Sequence, residues 1–63
     1  MTTKIQKGLT FKHEGETLKV LRFEGSMVEL RVTSQDGNGW YWREKSQVRA
    51  MLRSRLCQIK KVA

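Results

Sequence analysis

Apolar and polar side chains alternate along the first two thirds of the chain and then shift to a wider spacing, which divides the sequence into two kinds of element. Turn signals, "HEGE" near residue 15, "EGSM" near residue 25 and "SQDGNG" at 34–39, separate short runs rich in β-branched and aromatic residues. Runs of that length between glycine-bearing turns read as strands, and they predict strands near 8–12, 16–23, 27–33 and 39–44.

The second turn sets a register. Taken as a two-residue type II′ turn, Gly25-Ser26 opposes Glu24 to Met27, Phe23 to Val28 and Leu21 to Leu30. One face of the hairpin then gathers Leu21, Phe23, Val28 and Leu30, while Arg22 meets Glu29 on the other. Leu18 and Val20 fall on the opposite parity. Either the second strand is bulged and coiled, so that both of its ends reach one interior, or its first half packs apolar side chains on the second face. In the latter case Leu18, Val20 and Met27 form an exposed apolar patch suited to a homodimer or a protein partner.

Beyond "GWYWREK" the period lengthens. Val48, Met51, Leu52, Leu56 and Ile59 recur at three- and four-residue spacing behind Ser46, a good N-cap, and predict an amphipathic helix from Ser46 onward. No glycine or proline follows residue 39, so two ends stay open. The helix stops near Leu56 and leaves "CQIKKV" as a closing strand, or it runs on to Lys60. The expected fold is α+β, mostly β: a curled antiparallel sheet of four to five strands, of SH3-like barrel type, with one C-terminal amphipathic helix. A bent second strand is what such a small barrel requires.

Size limits what else the chain can be. Sixty-three residues form a single domain, 1–63, with residues 1–7 as a candidate disordered arm. A chain this short buries only about 60% of its unfolded surface, so its core needs the large side chains it has. The single cysteine excludes an intrachain disulfide, points to a reducing, cytoplasmic compartment, and leaves no Cys/His cluster for a metal. The start, "MTTKIQKGLTF", lacks the apolar run of a signal peptide, and no stretch reaches the length of a membrane span.

Charge changes the picture most. The net charge is +7; residues 1–42 hold six basic and five acidic side chains, whereas residues 43–63 hold seven basic residues against Glu44 alone. Such asymmetry is the footprint of a polyanion partner, set against the plainer reading of a solvated face. On a helix, Arg49 and Arg53 lie one turn apart on one face, Lys45 sits near its start, and Lys60 extends the line if the helix continues. Arginine suits phosphate because its planar fork donates two parallel hydrogen bonds.

The aromatics divide by strand parity. Trp40 and Trp42 share one face of the fourth strand, and Tyr41 and Arg43 share the other. In a chain with only five aromatic residues the tryptophans are expected in the core, which leaves Tyr41 and Arg43 outward to meet bases or sugars. The candidate nucleic-acid-binding residues are therefore Tyr41, Arg43, Lys45, Arg49, Arg53 and Lys60.

Catalysis finds little support. His13 sits at a turn, Glu14 and Glu16 flank Gly15 as turn acids commonly do, Cys57 has no evident base, and "GNG" lacks the lysine and length of a phosphate loop. No enzyme, metal or cofactor is expected. The expected function is a small basic module that binds nucleic acid largely without sequence preference, DNA favoured over RNA because exposed aromatics for single-strand stacking look scarce. The competing expectation is a small adaptor or inhibitor, of phage or mobile-element type, that docks on an acidic protein. A helix lying on a membrane is disfavoured, because the core consumes its apolar stripe.

Overall fold

Three two-residue turns fold the first four strands against one another in the computed structural model, which describes residues 4–61. The order is β1 (Thr10–His13), β2 (Glu16–Glu24), β3 (Met27–Ser34), β4 (Gly37–Glu44), helix α1 (Lys45–Arg53) and β5 (Cys57–Lys61). At the first turn Glu14 and Gly15 both have positive φ, 50° and 83°, the pattern of a type I′ hairpin turn. At the second, Gly25 alone is positive, at 62°, as a type II′ turn requires. At the third, the backbone N–H of Asp36 donates to Ser34 Oγ at 3.3 Å, so a hydroxyl stands in for a turn hydrogen bond.

All pairings are antiparallel, and the strand order is β4-β3-β2-β1-β5 with β4 and β5 as the edges of an open sheet. Glu24 meets Met27, Phe23 meets Val28 and Arg22 meets Glu29, as the turn predicts. Leu21 does not meet Leu30. A bulge between Val20 and Arg22 leaves Leu21 as the extra residue and puts Val20 opposite Leu30. The bulge resolves the parity conflict in β2, because an extra residue rotates one half of a strand relative to the other. Leu18 and Val20 are then fully buried, so the apolar patch expected of Leu18, Val20 and Met27 does not form.

Leu9, Phe11, Leu18, Val20, Val28, Leu30 and Val48 make the core, with Ile5, Val32, Tyr41, Met51, Leu52 and Cys57 packed around it. The segment before β1 is held at the bulge: Gly8 N–H donates to Val20 O, and Val20 N–H to Leu9 O, both at 2.9 Å. Of the arm expected at 1–7, Ile5 packs on the core, and residues 1–3 lie outside the described residues. Phe23, expected inward, is 37% exposed at the far end of the hairpin.

The helix starts one residue before Ser46. Glu44, extended at φ −70° and ψ 150°, is the N-cap, and its N–H donates to Gln47 Oε1 at 3.1 Å. Lys45 N–H donates to Ser26 O at 2.9 Å, which pins the strand-to-helix junction against the second turn and leaves Ser46 inside the first helical turn. The helix ends at Arg53, short of both expected ends. Ser54 turns extended, and its hydroxyl accepts from Leu56 N–H at 3.2 Å, offering the backbone an alternative to another helical turn. The chain then pairs with β1 as the closing strand. Val48 is fully buried and Met51 and Leu52 partly so, but Leu56 and Ile59, read as parts of the same stripe, are 60% and 40% exposed. Among the described residues no helix is long and apolar enough to cross a membrane.

This core separates two leucines of similar sequence appearance. Leu30→Ala is expected to lower the unfolding free energy by about 2–5 kcal/mol, against a total of roughly 3–9 kcal/mol for a chain of this length. Leu56→Ala should shift it by less than about 0.5 kcal/mol. Urea unfolding of the two variants measures both, and equal losses would mean that Leu56 is packed as a core residue.

Candidate nucleic-acid interface

Strand pairing with a side-chain period of two makes the register a map of the two sheet faces. Leu30 is buried and pairs with Tyr41, so Tyr41 lies on the inner face; Trp40, opposite Arg31, and Trp42, opposite Glu29, lie on the outer one. The expectation of buried tryptophans and an outward Tyr41 is therefore reversed. Trp40 is 66% exposed, whereas Tyr41 packs against the core. Aliphatic side chains from β2 and β3, together with Leu9, Phe11 and Val48, make up the interior. The signal was in the sequence: continuing the parity of β3 through a two-residue turn at Gln35-Asp36 puts Leu30 opposite Tyr41 and both tryptophans outside.

The remaining candidate residues are dispersed. Arg43 is exposed and lies over the Tyr41 ring, 4.0 Å from its centroid, and donates to Trp42 O at 3.0 Å. Lys45 Nζ sits 5.2 Å from the Phe23 ring centroid. Arg49 and Arg53 are exposed one turn apart on α1, and Arg53 Nε donates to Arg49 O at 3.4 Å. Lys60 does not extend that line, because it stands on β5 at an irregularity in the pairing with β1. The helix thus carries Lys45, Arg49 and Arg53 at four-residue spacing, with Lys45 turned onto the Phe23 ring, and Lys60 lies outside it.

Sequence reasoning missed a second basic surface on the outer face of the sheet. Trp40, Arg31, Lys19, Thr10 and Lys61 are successive cross-strand partners, one on each of the five strands. At 4.7–4.9 Å per strand, the row measures about 19 Å along the sheet. A second row, Asn38, Thr33, Thr17, Lys12 and Gln58, also crosses all five strands, roughly 7 Å away along them. On the other side of the basic row, Trp42, Glu29 and Arg22 form a closed set. Arg22 Nε donates to Glu29 Oε1 at 3.1 Å, and its guanidinium lies 5.3 Å from the Trp42 ring centroid. No single segment carries the outer cations, so a pass along the chain sees only isolated lysines and arginines.

An open cleft of about 320 Å³ lies by the β3–β4 turn, between Tyr41, Trp40, Val32 and the carboxylates of Glu16 and Asp36. Its charge is wrong for phosphate. The β1–β5 register also sets Cys57 opposite His13, with His13 Nδ1 3.7 Å from Glu14 Oε2. Burial pushes the Cys57 thiol up from 9.0, so it stays protonated at neutral pH and the arrangement lacks a thiolate nucleophile. Among the described residues no group of three or more His, Cys, Asp or Glu side chains could hold a metal ion.

No protein-family model matches the chain, and no curated protein or solved structure matches it. The surface has to be interpreted from its own chemistry.

Tyr41 gives the inner face a pH signature. Burial raises its phenol above 10.0, Arg43 opposes the rise, and Glu16 adds to it. The folded state therefore holds this proton more tightly than the unfolded chain does. The resulting stabilisation is full below about pH 10 and is lost as pH rises through the folded value. Tyrosinate absorbance should titrate higher in the native protein than in urea. The fall in unfolding free energy above pH 10 should be shallower in Tyr41→Phe. Coincident native and urea titrations would mean that the phenol is not desolvated.

Proposed function

We propose that this protein is a nucleic-acid-binding module that grips the phosphate backbone with cations its own carboxylates do not occupy. One observation carries the reading. Of thirteen lysines and arginines, only Arg22 makes an ion pair with a carboxylate among the described residues. Charges left unpaired on two faces of a small domain suit a polyanion, and contacts to phosphate bring little sequence preference and strong salt dependence. The expected helix contribution survives as Arg49 and Arg53. The sheet row contributes more, because Arg31, Lys19 and Lys61 stand in line on a hydrogen-bonded ladder with no carboxylate between them. The bulged β2 and the helix between β4 and β5 support an SH3-like barrel type for the curled sheet.

A second reading keeps a protein partner. Leu56 and Ile59 are exposed at and just before the edge strand β5, and Arg55, Lys60 and Lys61 flank them in sequence. An acidic strand added to that edge, or a second copy of this chain, would find both apolar contact and unpaired backbone groups.

Neutralising pairs of cations separates the surfaces. Lys19→Gln with Arg31→Gln should weaken binding to a mixed-sequence oligonucleotide more than Arg49→Gln with Arg53→Gln. Each lost phosphate contact should shrink the slope of log affinity against log salt by about 0.7–0.9. A salt series in fluorescence anisotropy reads both quantities. If neither pair changes affinity, while a strand-edge substitution such as Ile59→Lys abolishes association with an acidic protein, the second reading replaces the first.

A further inference from the structure

We propose that the outer face of the sheet binds single-stranded nucleic acid, with a base stacked on Trp40 and the backbone running along Arg31, Lys19 and Lys61. This rests on the nucleic-acid reading above and adds to it the class of strand and the ring that takes the base.

The first argument is the state of the five aromatic rings. Phe11 is fully buried, while Lys45 lies over Phe23, Arg43 over Tyr41 and Arg22 over Trp42. Among the described residues Trp40 is the one ring outside the core with no cation over it, and it is the most exposed large hydrophobic residue there. A domain this small needs large side chains for its core, so an indole left wet is unusual. Its π face is free, at the end of a line of cations, which is the pairing of features that single-strand sites use.

The second argument is the charge layout around the row. Lys19 and Arg31 are direct cross-strand partners on one face, and like charges so placed disfavour the sheet unless an anion joins them. On one side lies the Glu29 set, closed by its ion pair with Arg22, and beyond it Glu24 and Glu44 give a negative border that a phosphate chain would avoid. On the other side Asn38, Thr33, Thr17 and Gln58 offer neutral donors and acceptors to base edges. A backbone confined between these borders runs across the strands towards Trp40. A duplex can meet the cations but keeps its bases stacked inside, out of reach of the indole, so the tryptophan adds affinity only for a strand whose bases can splay out. One free, exposed indole removes the ground on which DNA was favoured over RNA.

The test uses fluorescein-labelled oligodeoxythymidine, oligouridine and a mixed-sequence duplex of equal length, titrated with the full-length protein at two salt concentrations. Trp40→Ala should weaken both single strands by about 5- to 150-fold, the range for one stacked base, while duplex affinity and the salt slopes stay as in the wild type. Trp40→Phe keeps a π face and should retain most of the single-strand affinity, which also guards against a folding defect in the alanine variant. Tighter binding of oligouridine than of oligodeoxythymidine would add a 2′-hydroxyl contact to the same site. The inference is overturned if Trp40→Ala leaves single-strand binding unchanged, or weakens single strand and duplex alike; in either case nucleic-acid binding itself still stands. Failure of the wild type to bind any of the three at low salt sinks the broader reading as well.

Discussion

The bulge at Leu21 is the constraint on which the rest of the structure depends. β2 is the only strand that must serve both halves of the sheet, and its apolar residues fall on two parities. One extra residue between Val20 and Arg22 lets Leu18 and Val20 face the same interior as Val28 and Leu30. The bonds from Val20 N–H to Leu9 O and from Gly8 N–H to Val20 O anchor the segment before β1 at the bulge. With both halves of β2 turned inward, aliphatic side chains supply the core almost alone. The tryptophans are then released to the outer face.

Much of the fold was legible because local signals fix it. Gly15 and Gly25 sit where positive φ is required, and each turn sets the pairing of its flanking strands over several residues. What escaped was set by contacts distant in sequence. Ser46 is a better N-cap than Glu44 by propensity, yet the bond from Lys45 N–H to Ser26 O fixes where β4 gives way to α1. Leu56 and Ile59 continue the helical spacing, and of the two ends this left open the chain takes the closing strand, with Cys57–Lys61 paired to β1. Helix period and strand period cannot be told apart over so few residues.

The proposed binding surface was harder to see for the same reason. Arg49 and Arg53 are neighbours by helix geometry and can be paired on paper. Lys19, Arg31 and Lys61 are separated in sequence and fall into line only when four strands, β3, β2, β1 and β5, are laid side by side. Trp40 was misplaced by a rule about composition, that a small chain buries its tryptophans. The rule gives way where register is decided by Val28, Leu30 and Val32 on the adjoining strand.

The placement of Lys19 opposite Arg31 then bears on why the face is built this way. Opposing like charges on a ladder disfavour pairing by up to about 1 kcal/mol, a noticeable share of the few kcal/mol that hold a domain of this size together. Further along the same β2–β3 ladder, Arg22 and Glu29 show that the sheet can place opposite charges across from one another. The cation pair therefore reflects something other than a limit of the fold. An anionic ligand that binds the folded chain and not the unfolded one would remove the repulsion and raise stability by mass action. The outer face would gain most from such a ligand, whereas the inner face is already closed by Val48.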